Sequence, residues 1–111
     1  MNWQEAKNRC LGLGAKMVVV ENEIERQEIT RWTQGLINQR VRFWLDGKKT
    51  SYGWRLHDGG VVPQYSPWGP IPTSRGPCLR TGPETRWYSA SCSARVLSGG
   101  YRMSALCVMR Y

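Results

Sequence analysis

Four cysteines are the side chains with the clearest chemistry in this sequence of 111 residues. They are Cys10, Cys78, Cys92 and Cys107, an even number with no C-x-x-C spacing. A zinc site would need further ligands, and the only histidine of the chain is His57. We therefore predict a disulfide framework and an oxidising compartment, although the spacing alone is compatible with three different pairings.

Residues that could support catalysis are sparse. His57 stands next to Asp58 in a predicted turn, and adjacent residues rarely form the pair that orients a general base. Bridged cysteines leave no thiol nucleophile. The sequence has neither a G-x-S-x-G motif nor a phosphate-binding G-x-x-x-x-G-K-[ST] loop. We predict that the chain is not an enzyme and that it uses no cofactor.

Positive charge is distributed unevenly along the chain, whose net charge is +8. Residues 60–111 contain several arginines, no lysine and a single acidic residue, Glu84. Arginine suits the planar recognition of carboxylate, sulfate or phosphate groups. Because the arginines are dispersed and the cysteines indicate an extracellular setting, we expect no nucleic acid as partner. Sulfated glycans and anionic cell surfaces are better candidates.

Two segments near the N-terminus are predicted to be helices that position the first cysteine. Asn2 and Glu5 have the form of a capping box. The first helix ends at Gly12 and Gly14 and presents Trp3, Ala6, Cys10 and Leu13 on one side. The second helix opens at Asn22, and its predicted buried stripe is Ile29, Trp32, Leu36 and Ile37.

The remainder of the chain is predicted to form short strands around a long loop. The predicted strands are 16–20, 41–45, 54–56, 78–80, 86–89 and 105–109. Asp46-Gly47 is interpreted as a turn. Residues 60–78 contain five of the six prolines and no helical period, and loops of that length are often functional. Two helices followed by strands predict an α+β fold, and no stretch is apolar enough to span a membrane.

These landmarks resemble the C-type lectin-like domain. Trp3-Gln4-Glu5-Ala6 with Cys10 resembles the W-x-x-A-x-x-x-C helix of that family. Phe43-Trp44-Leu45-Asp46-Gly47 resembles its W-I-G-L strand, with Asp46 at a usual glycine position. Trp54-Arg55-Leu56-His57-Asp58-Gly59 resembles its W-x-W-x-D-G stretch. Further landmarks follow in the family order, namely Trp68, Cys78, Trp87, Cys92 and Cys107.

The resemblance covers nearly the whole chain and implies a fold. It implies the disulfides Cys10–Cys107 and Cys78–Cys92, and two helices packed on small antiparallel sheets with a long irregular loop that carries ligands. We predict a single domain over residues 1–111. The family strand that precedes the first helix is nearly absent here, which would leave an edge of the last strand exposed and allow a homodimer.

Sugar-binding members of the family hold calcium with a Glu-Pro-Asn or Gln-Pro-Asp triplet and a Trp-Asn-Asp triplet. The matching proline here is Pro72, between Ile71 and Thr73, and the second triplet reads Trp87-Tyr88-Ser89. Calcium requires several hard oxygen ligands, which these side chains do not supply. We therefore predict no metal site and no calcium-dependent sugar binding.

Tyrosine and arginine side chains around the lost metal positions could instead form a contact patch, because both residue types are enriched at binding hot spots. The predicted long-loop patch consists of Tyr65, Arg75, Arg80, Glu84, Arg86 and Tyr88. Among the tryptophans we expect Trp68 to anchor the long loop, and we expect the following to lie in the core: Trp3, Trp32, Trp44, Trp54 and Trp87.

Three functions are compatible with such a patch. The first is a secreted or cell-surface module that binds a protein ligand or receptor without calcium. The second is binding of sulfated or acidic polysaccharide by an arginine-rich face, namely Arg75, Arg80, Arg86, Arg95 and Arg102. The third is a structural role in a matrix, where folding and charge matter more than one pocket.

Overall fold

The fold was analysed on a computed structural model that describes residues 1–65, 67–69 and 76–109, without the side chains of Ile37 and Ser98. The helices are α1 (Trp3–Gly12) and α2 (Glu23–Asn38). The strands are β1 (Lys16–Met17), β2 (Val41–Thr50), β3 (Gly53–Arg55), β4 (Cys78–Thr81), β5 (Trp87–Ala90), β6 (Arg102–Ala105) and β7 (Cys107–Val108). The predicted α+β fold is confirmed. No helix in the described ranges is both long and apolar enough to cross a membrane.

Helix α1 begins as its sequence predicts. The Asn2 side chain accepts the Glu5 N–H at 2.8 Å, and the Glu5 carboxylate accepts the Asn2 N–H at 2.8 Å, which completes the capping box. Trp3, Ala6 and Cys10 are buried, as expected. The prediction for Leu13 is wrong, because the helix ends one residue earlier and this side chain is 64% exposed.

Helix α2 buries a different stripe from the one predicted. Ile29 is buried, but Trp32 is 69% exposed and Leu36 is 44% exposed. The buried positions beside Ile29 are Arg26 and Thr33. Both polar side chains are hydrogen-bonded, Thr33 Oγ1 to the Ile29 carbonyl and Arg26 to groups described below, so their burial is compensated. Apolar periodicity in the sequence does not reveal this stripe, because two of its three buried residues are polar.

Strand β2 is the centre of a five-stranded sheet. The order is β3-β2-β4-β5, with antiparallel neighbours, and β6 pairs with β2 in parallel. The predicted turn at Asp46-Gly47 is wrong, since β2 runs through it to Thr50. A Cβ atom on Gly47 would overlap the side chain of Leu79 on β4. This glycine therefore serves close packing between strands rather than a turn.

The last strand is paired by a segment that follows α1. Strand β1 pairs antiparallel with β7, with Lys16 opposite Val108 and Met17 opposite Cys107. Regular pairing in β1 covers two residues only, whereas residues 16–20 were predicted as a strand. The predicted strand at 105–109 is divided between β6 and β7, which belong to different sheets.

Two disulfides join the elements as the resemblance implied. Cys10–Cys107 ties α1 to β7, and Cys78–Cys92 ties the start of β4 to the segment after β5. Trp3, Trp44 and Trp87 are core residues as predicted, and Trp54 is half-buried against the core. The Cys78–Cys92 disulfide therefore fixes the open end of the β4–β5 hairpin by a covalent bond.

Candidate functional site

The β4–β5 hairpin brings Arg80 and Tyr88 together. The two residues are directly opposite in the antiparallel register, so their side chains leave the sheet on the same face. The guanidinium carbon of Arg80 lies 5.1 Å from the centre of the Tyr88 ring. A Cβ atom on Gly69 or on Gly82 would overlap this ring, so both glycines permit the tyrosine to sit close to the chain. Tyr88 is therefore half-buried rather than simply projecting outward.

Arg42 on β2 extends this pair and was not identified from the sequence. Trp44 is opposite Arg80, and Arg42 lies two residues earlier on the same face of the sheet. Arg42 is only 8% exposed, and its guanidinium carbon lies 4.4 Å from the centre of the Tyr101 ring. Burial, with a smaller contribution from the charge of Arg42, lowers the pKa of Arg80.

The two guanidinium groups have unmet hydrogen-bonding capacity. Arg80 Nη1 donates to the Thr81 carbonyl at 2.9 Å. Arg80 Nε and Arg42 Nη1 are buried and find no acceptor among the described residues. Buried donors are almost always paired in folded proteins, so two orphaned donors of like charge on one face require an explanation.

A second group of candidates gathers at the start of α2. Tyr65 donates a short hydrogen bond from its hydroxyl to Glu23, and Arg26 forms a short ion pair with the same carboxylate. Arg26 Nη1 also donates to the Glu84 carbonyl at 2.6 Å. The bonds from Arg26 and Tyr65 lower the pKa of Glu23 to about 2, whereas burial and the bond to Glu23 raise the pKa of Tyr65. The network connects α2, the long loop and the β4–β5 connection.

The β4–β5 connection has a strained backbone. Glu84 has φ 61° and Thr85 has φ 58°, a left-handed conformation that is uncommon for residues other than glycine. Thr85 is buried, and its hydroxyl lies 2.5 Å from that of Thr30 on α2. The Glu84 carboxylate points to Arg86, with Oε2 3.8 Å from Nε. Helix α2 therefore holds this turn, and strain of this kind is frequent at functional sites.

Trp68 connects the long loop to the sheet, as predicted. Its ring centre lies 5.5 Å from that of Trp54 and 5.6 Å from that of Trp87. The main-chain N–H of Trp87 donates to the Pro67 carbonyl at 2.8 Å, and the main-chain N–H of Gly69 donates to the Trp87 carbonyl at 3.0 Å. Residues 67–69 therefore run alongside the start of β5, and Gly69 lies against the Tyr88 ring.

The predicted long-loop patch is thus partly assembled. The structure places Arg80 beside Tyr88, Glu84 beside Arg86, and Tyr65 in the network that also holds the Glu84 carbonyl. Arg75 lies outside the described residues, as do Ile71, Pro72 and Thr73. Of the other arginines, Arg95 bonds to Glu5 on α1, with Nη2 3.1 Å from Oε2, and Arg102 is exposed on β6.

The histidine has a partner that the sequence analysis did not identify. Asp46 is buried and accepts two bonds from His57, at 2.7 Å from its main-chain nitrogen and 2.7 Å from Nδ1. The neighbouring Asp58 instead accepts the Gly60 N–H at 2.9 Å. The available signal was the carboxylate at a position where the family usually has glycine.

Comparisons with known proteins agree with this architecture. The family model described as the lectin C-type domain matches residues 1–98. The search of curated proteins gives no significant match. The carbohydrate-recognition domain of cow CD23 is 20% identical, with a TM-score of 0.71, covering 96% of this chain and 78% of that one.

Two further solved structures are similar at low sequence identity. The C-type lectin CEL-I from Cucumaria echinata is 15% identical, with a TM-score of 0.72, covering 85% of this chain and 77% of that chain. Herring type II antifreeze protein is 19% identical, with a TM-score of 0.69, covering 96% of this chain and 81% of that chain. With the family-model match, the helices, the sheets and both disulfides, these findings show that the chain belongs to the C-type lectin domain family.

Proposed function

We propose that this domain is a calcium-independent recognition module, part of a secreted or cell-surface protein, that binds a protein partner through the long-loop face. The fold alone does not choose a function, because the similar structures include a carbohydrate-recognition domain and an antifreeze protein. The proposal therefore depends on the side chains of the site.

The donor atoms present do not suit calcium. Calcium prefers six to eight oxygen ligands, with carboxylates prominent among them. In the described part of residues 60–109 the only carboxylate side chain is that of Glu84, and it faces Arg86. The position that matches the asparagine of the family triplet holds Tyr88, whose ring is packed against Arg80. No cluster of three or more histidine, cysteine or acidic side chains occurs in the described ranges.

The observation that carries the proposal is the pair of arginines with unmet donors. Arg42 Nη1 and Arg80 Nε are buried without an acceptor in the described ranges, and Tyr88 and Tyr101 flank them. A partner carboxylate at the half-buried Arg80 guanidinium would form charge-assisted hydrogen bonds, which are the stronger class, and would offset the like charge of Arg42. Arginine and tyrosine are also the residues that most often dominate binding energy at protein interfaces.

Binding of polysaccharide through the predicted arginine set has less support. Arg95 is bonded to Glu5, and Arg86 lies near Glu84, so two of the described arginines have acidic neighbours. Arg80 is half-buried against Tyr88. An extended, solvent-facing row of cations is what a polysaccharide chain would require, and these contacts do not favour one.

A binding screen against extracellular protein domains tests the proposal. The purified domain is assayed with calcium and with EGTA, and each hit is measured again with R80Q and with R31Q, a control that removes an exposed α2 arginine. We expect unchanged binding in EGTA and R31Q, and about tenfold or greater weakening in R80Q, as for an interface hot spot. Melting temperatures establish that both variants are folded. Binding that requires calcium, or equal binding by R80Q, would contradict the proposal.

A further inference from the structure

A second cluster of cations lies away from the long-loop patch, in an open cleft of about 590 Å³ between α1 and the β2–β3 hairpin. The lining residues that matter here are Trp3, Lys7, Lys48, Tyr52, Arg55 and His57. None of them belongs to the patch or was singled out from the sequence for binding. The volume is in the range of small-ligand sites, which are typically about 300–1,000 Å³.

Two ammonium groups converge on one indole ring in this cleft. Lys7 Nζ lies 5.8 Å and Lys48 Nζ 5.5 Å from the centre of the Trp3 ring. The ring is fixed, because Trp3 is buried and its Nε1–H donates to the Leu45 carbonyl at 3.0 Å. A cation from α1 and a cation from β2 therefore both lie close to the Trp3 ring.

These cations have no acidic partner in the part of the chain that the structure describes. Within the described residues, neither lysine nor Arg55 forms an ion pair with a carboxylate. Asp46, the carboxylate nearest in sequence to Lys48, is buried and committed to His57. Like charges brought together without a counter-charge repel one another, so an anion in the cleft would be favoured.

Further groups in the cleft suit a ring that carries hydroxyl groups. Tyr52 is 83% exposed, so its face is open to a ligand. Gln4, Thr50 and Ser51 line the same space with amide and hydroxyl groups. His57 has its Nδ1 held by Asp46, which fixes the ring orientation and leaves Nε2 for another bond.

We propose that this cleft binds a sulfated saccharide. The sulfate group lies between Lys7 and Lys48, within reach of Arg55, and the sugar ring packs on Tyr52. A short saccharide suits a cleft of this size, whereas an acidic peptide would need an extended groove. This site is separate from the protein-binding face proposed above, and it requires no metal.

Titration calorimetry with two matched probes tests the site. The first probe is a heparin-derived tetrasaccharide, and the second is the same tetrasaccharide after chemical desulfation. We expect binding of the sulfated probe that weakens as sodium chloride is raised, because exposed ionic contacts are screened. We expect no measurable binding of the desulfated probe. Failure to bind the sulfated probe at low salt would overturn the proposal.

Variants locate the binding on the protein. K7A/K48A should weaken binding of the sulfated tetrasaccharide by about tenfold, or about 1.4 kcal/mol, which corresponds to two surface ionic contacts of about 0.7 kcal/mol each. K49A is the matched control, because this exposed lysine of the same strand points to the opposite face of the sheet. It should bind like the wild type, and so should R80Q, which alters the long-loop patch.

Three results would overturn the assignment. Equal weakening by K49A would mean that general charge, and not the cleft, drives binding. Weakening by R80Q alone would place the saccharide on the long-loop face. An oligoglutamate peptide that binds as tightly as the sulfated tetrasaccharide, and depends equally on Lys7 and Lys48, would make the cleft an acidic-peptide site.

Discussion

Individual residues in this domain derive their roles from partners that are distant along the chain. Asp46 is the clearest case: a buried carboxylate in the middle of a strand is costly unless it is fully hydrogen-bonded. Both of its oxygens accept bonds from His57, one from the main chain and one from the ring. The pair therefore connects β2 to the segment that follows β3.

Removing the Asp46 carboxylate should lower the free energy of unfolding. D46A would leave the His57 main-chain N–H and the imidazole without their acceptor, and we expect about 2–3 kcal/mol of lost unfolding free energy, as for charged hydrogen bonds. Urea unfolding measures the change. D58A is the control, since it removes an exposed neighbouring carboxylate that accepts one bond, and its loss should be clearly smaller. Equal losses in the two variants would show that the Asp46 bonds contribute little.

At the scale of elements, α2 holds the long loop and the β4–β5 connection in place through hydrogen bonds from its first turn. Its first turn contains Glu23 and Arg26, which reach Tyr65 on the loop and the Glu84 carbonyl in the strained turn. The contribution of Glu23 depends on pH because its pKa of about 2 lies below the ordinary value of 4.5. A lowered pKa in the folded state means that the carboxylate stabilises the fold above about pH 4.5 and loses that effect as the pH falls towards 2.

The variant E23Q tests this element. We expect E23Q to be less stable than the wild type at neutral pH, with a difference that shrinks steadily between pH 5 and pH 2, because the wild-type carboxylate becomes protonated there. Thermal unfolding over that pH range provides the measurement. E28Q removes the same charge from a half-buried α2 residue that forms no ion pair among the described residues, and it should show a smaller difference at neutral pH. A difference between E23Q and wild type that does not change with pH would contradict the network.

The elements also show where sequence reasoning succeeds and where it ends. The capping box at Asn2 is local, so it could be predicted, and so could the core tryptophan Trp87, which lies five residues before Cys92. The buried stripe of α2 could not, because Arg26 is buried through bonds to a turn 58 positions away. Similarly, Asp46-Gly47 has the composition of a turn, but contacts with His57 and Leu79 keep it in a strand.

For the candidate site, the sequence identified the hairpin residues but not their neighbours. Arg80 and Tyr88 were found because they flank family landmarks, and their pairing follows from the strand register. Arg42 was missed because a charged residue within an apolar strand gives no signal of its own. Lys7, Lys48 and Arg55 were missed because α1 and the β2–β3 hairpin meet only in the folded chain.

For the whole molecule, the two disulfides should contribute unequally to stability. Cys10–Cys107 closes a sequence separation of 97 and Cys78–Cys92 one of 14. In the chain-entropy model, loops of about these lengths contribute about 4.7 and about 3 kcal/mol, respectively, by restricting the unfolded state. We expect C10A/C107A to lose more unfolding free energy in urea than C78A/C92A.

The two bonds also differ in what they hold together. Cys10–Cys107 ties α1 to the two-stranded sheet, whereas Cys78–Cys92 fixes only the β4–β5 hairpin, so C78A/C92A should retain the cooperative transition. A larger loss in C78A/C92A would mean that packing around the hairpin, and not loop closure, governs the stability of the domain.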